Sequence, residues 1–301
     1  MANEKNAVLL IGASGTSGRE VLRATVRAGG LVRALVRSAA SAEALAGEAE
    51  IVHGDLRDDR SLERALRGVR SAFYVSPHEP DEEALAERFI RACEDARVRL
   101  VFGGVHVLGK TRITRALKRA VYGAVFPRYR AKFRIGERMR RSRANPVVLV
   151  PTNFFQNDEL FRSDILAGSF PQAFLKPVNR VDVRDLGEAA ARALLDDSLP
   201  SGEYSVVGPK AWTGAECAAE WASALGRPVR FASEPAEVDA AIERALSGKK
   251  RDDFLSSYKV LRNLEVATQP AALAQTIALL GGRQPRTYAQ YVRDEVARLA
   301  T

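Results

Sequence analysis

Only two cysteines and three histidines occur in 301 residues. Cys93 and Cys217 lie far apart, each in an alanine-rich stretch of helical character, with no further cysteine or histidine at metal-ligand spacing. That pattern argues against a metal centre and leaves the thiols as inert core residues. Uninterrupted apolar runs of the ~18 residues that a membrane helix needs are also missing. The polar start Met1-Ala2-Asn3-Glu4-Lys5-Asn6 leads directly into an apolar strand, so the expectation is a soluble, cytoplasmic protein without a membrane segment. Internal repeats and low-complexity linkers are lacking, and 46% hydrophobic composition argues against disorder.

Acidic residues are nearly absent from one stretch. Between Arg97 and Arg143 stand fifteen basic residues against the single acid Glu137, a local charge of +14, so the remaining residues carry −5 of the +9 total. The basicity is therefore confined to one surface. It suits contact with something anionic, and it equally suits a solvated helical face that uses arginine.

What is present is a regular alternation of apolar β-rich runs with helical periods. Strands are expected at Ala7–Ile11, Val32–Val36, Glu50–His53, Ala72–Val75, Leu100–Phe102 and Val147–Val150. Helices are expected at Arg19–Arg27, Leu62–Leu66, Glu82–Ala96, residues 111–125, Arg128 to about Ser142, Leu186–Leu195 and Ala215–Leu225. This order implies an α/β fold, a Rossmann-type doubly wound parallel sheet covered on both faces, with a smaller C-terminal α/β substrate lobe. The expected division is 1–152 for nucleotide binding and 153–301 for the lobe, with the region around 178–208 packing back onto the first part.

Val8-Leu9-Leu10-Ile11 runs straight into Gly12-Ala13-Ser14-Gly15-Thr16-Ser17-Gly18 and then a helical stretch. The first glycine permits a tight turn, the second lets the backbone approach a pyrophosphate, and the third allows close helix–strand packing. The helix N-terminus then offers unpaired N–H groups to phosphate, and Ser14, Thr16 and Ser17 add hydroxyls. Because strand, glycines and helix coincide, the stretch reads as a dinucleotide site. Where an NAD-binding protein carries an acid at the end of the second strand, this chain has Arg37, which suits the 2′-phosphate of NADP(H). Arg33 either assists or is an exposed strand residue. Asp55 and Leu56 follow the third strand, where a carboxylate accepts from an adenine amino group or caps a turn.

These residues resemble a known family. GASGTSG, LVRALVR, HGDLRD, Ile90-Arg91-Ala92-Cys93, the run Val147 to Asn157 containing PTNFFQN, the run Val181 to Leu186 containing VDVRD, and Gly282 to Tyr288 together are similar to the NmrA-like atypical short-chain dehydrogenases/reductases. The resemblance implies NADP(H) at the C-terminal edge of the strands. Gly12, Gly15, Gly18 and Arg37 would hold its phosphates, Asp55 and Leu56 its adenine, and Val75, Ser76 and Pro77 would line the nicotinamide ribose. Lys132 would contact that ribose, and Asn153, Phe154 and Phe155 would face the nicotinamide and the substrate. Family members include reductases of quinones, enones and imines as well as nucleotide-sensing regulators.

Carbonyl reduction needs a general acid, and many short-chain reductases use a tyrosine four residues before a lysine on one helix, where the ammonium lowers the phenol's pKa from ~10. Here Arg128 stands at that position, and Tyr129 lies three before Lys132. Tyr129 and Lys132 form either a shifted pair on one helix face or a packed aromatic beside a lysine. The usual serine after the fifth strand is replaced by Gly103-Gly104-Val105-His106, which makes His106 a candidate acid or a structural hydrogen-bonder. Gly136, beside Glu137, replaces the acid one turn after the lysine, and Val150 stands where the family has arginine. Hydride delivery to an enone or quinone depends more on placement than on such an acid.

The leading reading is therefore an NADPH-dependent oxidoreductase acting on a hydrophobic or conjugated carbonyl or quinone-type small molecule. An NADP(H)-sensing regulator or scaffold is the alternative, and a non-redox enzyme on the same fold is the third. For the basic segment, an anionic substrate, an acidic protein partner or a homodimer contact precede nucleic acid, because exposed aromatics and a helix-turn-helix are lacking. The apolar stripe at residues 113–125 is expected to pack against the chain itself.

Overall fold

The computed structural model describes residues 7–77, 79–105 and 111–299. The first half alternates strand and helix: β1 (Ala7–Ile11), α1 (Thr16–Arg27), β2 (Leu31–Val36), α2 (Ala39–Glu43), β3 (Glu50–His53), α3 (Asp59–Leu66), β4 (Val69–Tyr74), α4 (Glu82–Ala96) and β5 (Arg99–Gly103). Then come α5 (Arg112–Val125), a 3-10 turn at Pro127–Tyr129, α6 (Arg130–Arg140) and β6 (Val147–Pro151). The second half holds β7 (Asn153–Phe154), a 3-10 segment at Phe155–Phe161, α7 (Arg162–Leu166), β8 (Ser169–Pro171), β9 (Val178–Val181), α8 (Val183–Leu195) and β10 (Gly202–Val206). It closes with β11 (Ala211–Trp212), α9 (Gly214–Leu225), β12 (Arg230–Ala232), α10 (Pro235–Ala245), α11 (Gly248–Leu261), α12 (Pro270–Leu279) and α13 (Tyr288–Leu299).

Seven strands form one parallel sheet in the order β10-β6-β5-β4-β1-β2-β3. All five residues of β1 are buried, as expected of an apolar run covered on both faces. On one face Leu62, Phe89, Ile90, Ile135 and Met139 from α3, α4 and α6 form the core. On the other, Val21, Leu22, Leu186, Ala190 and Leu194 from α1 and α8 do so. The chain winds outward from β1 to β3, then crosses back to β4 on the other side of β1. That reversal opens a crevice at the C-terminal ends of β1 and β4, where doubly wound sheets bind ligands.

Residues 183–206 return to the main sheet as α8 and β10. Helix α12 packs on β10 and α8, and the other C-terminal elements enclose an aromatic core of Phe155, Phe161, Phe170, Trp212, Trp221, Tyr258, Tyr288 and Tyr291. Inside it lies the fully buried Arg180, whose guanidinium bonds Asp158 Oδ1 at 2.7 Å, Asn153 Oδ1 at 3.1 Å and the Phe154 carbonyl at 2.9 Å. Tyr288 donates to the same Asp158, which leaves both buried charges bonded rather than stranded.

Several expectations shift. The strand expected at Ala72–Val75 runs Val69–Tyr74, because Val69 and Ser71 pair with β1 across a bulge that leaves Arg70 out of the ladder. Pro127 opens a 3-10 turn before α6 rather than starting a continuous helix. The helices α10 to α13 were not foreseen, and of these α11 and α12 have weak apolar periodicity. The stripe on α5 does not pack against the chain: Ile113 is 81% exposed, Leu117 66% and Val121 52%. Cys93 and Cys217 are free and buried as expected, and burial pushes the Cys217 thiol up to about 12. Among the described residues no group of histidine, cysteine, aspartate and glutamate is placed to hold a metal ion, and no helix is long and apolar enough to cross a membrane.

Candidate functional site

The crevice encloses about 790 Å³ and is walled by the glycine turn, the ends of β2, β3 and β4, and one residue of α11. Gly12 takes φ of +79°, a region that suits glycine, and a Cβ there would come within 2.8 Å of Val75 Cγ1. A Cβ on Gly18 would stand 2.0 Å from the Gly12 carbonyl oxygen, so α1 can approach the turn only without one. Gly15 caps α1 without a side-chain bond, and the first turn carries no acid. The N-terminal amides of α1 are thus left to an anion, backed by the helix dipole. Ser14 and Thr16 are exposed beside them. A pyrophosphate therefore fits this cradle sterically and electrostatically.

Gly12, Ser14, Gly15, Thr16, Ser17, Gly18, Arg37, Asp55, Leu56, Val75, Ser76 and Pro77 all line the crevice. Arg33 does not: its Nη1 donates to the Ala65 and Arg67 carbonyls at 3.1 and 2.7 Å, closing the C-terminal end of α3. Asp55 accepts from the Arg57 amide at 2.8 Å, so it stabilises its turn while also facing the crevice. Sequence reasoning missed Arg57, Glu79 and Lys250, which line the same space. Arg57 was legible two positions beyond Asp55, whereas Lys250 arrives from a helix far along the chain.

The reacting end is arranged differently. Lys132 is buried, and its ammonium donates to Glu82 Oε2 at 2.8 Å. The same oxygen accepts from Ser76 Oγ at 2.9 Å, and Lys249 Nζ lies 3.9 Å from Glu82 Oε1. Tyr129 does not join this group. Ser257 Oγ donates to its hydroxyl at 3.2 Å, and burial raises the phenol above its ordinary value, opposite to the effect of a lysine partner. The shifted Tyr129–Lys132 pair is therefore not formed, because each side chain bonds a different element. Asn153 is turned to Arg180, Phe154 packs on the core beneath β6, and Phe155 sits wholly inside the aromatic core against Tyr288 at 5.1 Å between ring centroids. None of these three, nor Lys132, lines the crevice. His106 lies outside the described residues.

The positive charge of residues 97–143 is largely met within the chain. Arg134 pairs with Glu83 on α4, and Arg138 with Glu87 at 2.8 Å and Glu94 at 3.1 Å. Arg140 and Arg141 share Glu137.

A model of the NmrA-like family matches residues 4–278. The chain belongs to that family. It is 30% identical to an NAD(P)H azoreductase of Xenophilus azovorans, over 96% of this chain and 98% of that one. It is 29% identical to a (4-alkanoyl-5-oxo-2,5-dihydrofuran-3-yl)methyl phosphate reductase of Streptomyces griseus, over 97% and 99%. The triphenylmethane reductase of a Citrobacter species shares the fold, with a TM-score of 0.76 at 19% identity over 97% of this chain and 99% of that one. In this NmrA-like chain the most family-specific segments knit to one another. Gln156 bonds Asp182 at 3.0 Å, Arg180 bonds Asn153 and Asp158, and Arg283 bonds Asp185 at 2.7 Å. Their resemblance therefore reports shared architecture more directly than shared chemistry.

Proposed function

We propose that this protein is an NADPH-dependent reductase of a hydrophobic or conjugated small molecule of the quinone, enone or azo type. The observation that carries the reading is the crevice at the strand-order reversal, with the uncapped amides of α1 at one wall and Arg37 at the rim. A bound nicotinamide would supply hydride. Gly12, Gly15 and Gly18 admit the pyrophosphate, and Ser76, whose proton is directed to Glu82, keeps its oxygen lone pairs available to a ribose hydroxyl.

The reaction type follows from what stands near the reacting end. Lys132 is committed to Glu82, and Tyr129 does not line the crevice, so neither is poised as the acid of ordinary carbonyl reduction. Acceptors whose product anion is delocalised need that acid least. The name of the azoreductase relative agrees with such an acceptor.

Calorimetric titration with NADPH, NADP⁺ and NADH, followed by NADPH oxidation against quinones, enones and azo dyes, tests the reading. Binding with turnover of one class supports it. Tight binding with no oxidation of any acceptor would turn the assignment to a nucleotide-sensing regulator, which the committed Lys132 also fits. Replacing Arg37 with aspartate is expected to weaken NADPH by about tenfold or more and NADH little; equal losses would remove Arg37 from the 2′-phosphate.

A further inference from the structure

One carboxylate stands between two arginines at the rim of the crevice. Glu79 Oε1 lies 2.6 Å from Arg37 Nη1, and Glu79 Oε2 lies 2.6 Å from Arg57 Nη2. The two guanidiniums come from different segments, the end of β2 and the loop after β3, and Glu79 comes from a third, after β4. Asp81 grips Arg57 from another side, accepting from Nε at 2.9 Å and Nη2 at 2.8 Å. Arg37 is 56% exposed and Glu79 24%, so the bridge can open without disturbing the core.

We propose that Glu79 is an internal substitute for a phosphate, and that Arg57 is a second ligand of the adenosine 2′-phosphate, so that Glu79 and Arg57 together set the discrimination between NADPH and NADH. The inference rests on the crevice being the dinucleotide site. Two planar guanidiniums facing one small anion are the arrangement that phosphate recognition uses. A 2′-phosphate brings between −1.5 and −2 charges and three acceptor oxygens, against one charge and two oxygens for Glu79. It therefore displaces the carboxylate from both arginines. A 2′-hydroxyl carries no charge and leaves the bridge standing, so an unphosphorylated nucleotide binds beside Glu79 rather than in its place. Asp81 keeps the Arg57 fork aimed at the rim in both cases. The hydrogen bond from Arg57, with that from Arg37 behind it, holds the Glu79 carboxyl below its usual range, so the competitor stays charged at neutral pH. NADPH affinity is thus set by an exchange of anions, and it is weaker than two bare arginines would give.

The test is calorimetric titration of the wild-type protein, Glu79→Gln and Arg57→Ala with adenosine 2′,5′-bisphosphate and with AMP, alongside thermal unfolding of each variant. Glu79→Gln is expected to tighten the bisphosphate about three- to fivefold, the range of one exposed ion pair, and to leave AMP unchanged. Arg57→Ala is expected to weaken the bisphosphate about tenfold and AMP little. If both ligands bind but Glu79→Gln leaves the bisphosphate-to-AMP ratio unchanged, the competition is refuted while the dinucleotide reading stands. If Arg57→Ala weakens both ligands equally, its role as a phosphate ligand is refuted. If the wild-type protein binds neither ligand, nor NADPH, the dinucleotide reading falls and this inference with it.

Discussion

Helices α5 and α6 follow one another and use the same vocabulary of arginine with scattered apolar residues, yet they meet opposite fates. On α6 the apolar residues Ile135 and Met139 are buried in the core of the sheet, Phe133 is buried beside Tyr122 and Tyr129, and the arginines reach across to Glu83, Glu87 and Glu94 on α4. On α5 the apolar residues Ile113, Leu117 and Val121 face outward. The helix is held at its start by the reciprocal capping of Thr111 and Thr114, along its length by Arg115 pairing with Glu203 at 3.0 Å, and at its end by Arg130 bonding the Gly123 carbonyl at 2.7 Å. Amphipathic spacing establishes that a face exists; the partner comes from elsewhere in the chain. For α6 that partner is the set of glutamates spread along α4.

The contrast can be broken most forcefully at Lys132. Replacing it with methionine strands the buried Glu82 carboxylate, which among the described residues then keeps Ser76 and the more distant Lys249, and should cost about 3 kcal/mol in urea unfolding. Adding Glu82→Leu should recover most of that loss. If Lys132→Met left stability intact while abolishing turnover, the lysine would belong to catalysis rather than to the frame. Arg138→Ala comes next, at about 1 kcal/mol, since its pairs with Glu87 and Glu94 are only half-buried.

Acid provides a third probe of the α4–α6 side. Burial works to raise the Glu94 carboxyl, but hydrogen bonds from Arg138, the Arg143 amide and Ser142 outweigh it and hold the group at about 2. A carboxyl lowered in the folded state stabilises the protein above its unfolded value of 4.5, and that contribution is lost as pH falls toward 2. Circular dichroism during acid titration should show the loss in that window, and Arg138→Ala should move it to higher pH. The smallest effect is expected on α5, where Leu117→Ser should change stability by less than about 0.5 kcal/mol. A loss of 2 kcal/mol or more there would mean that the exposed stripe is covered in solution.

The same division between local and distant information explains what could be read beforehand. The parallel sheet and the glycine turn were legible because Gly12, Gly15 and Gly18 act on residues within a few positions of themselves and beside an unbroken apolar strand. Arg37 was legible because strand length fixes where β2 ends. Glu79, Glu82 and Lys250 were not, because each acquires meaning only from a partner brought by the fold. Phe155 shows the converse: a residue that resemblance places near the reaction is held inside the aromatic core. Of the two readings open for Tyr129, its contacts with Phe126 and Phe133 match the packed aromatic.

Arg180 has a consequence for how the molecule comes apart. Its one guanidinium is shared by β7 and by Asp158 of the 3-10 segment, and Asp158 is in turn bonded by Tyr288 of α13. Peeling away any one of these would leave an ionised group in an apolar interior, so partial fraying is penalised at every step. The elements around the aromatic core are thereby tied into a single cooperative unit that should melt in one transition.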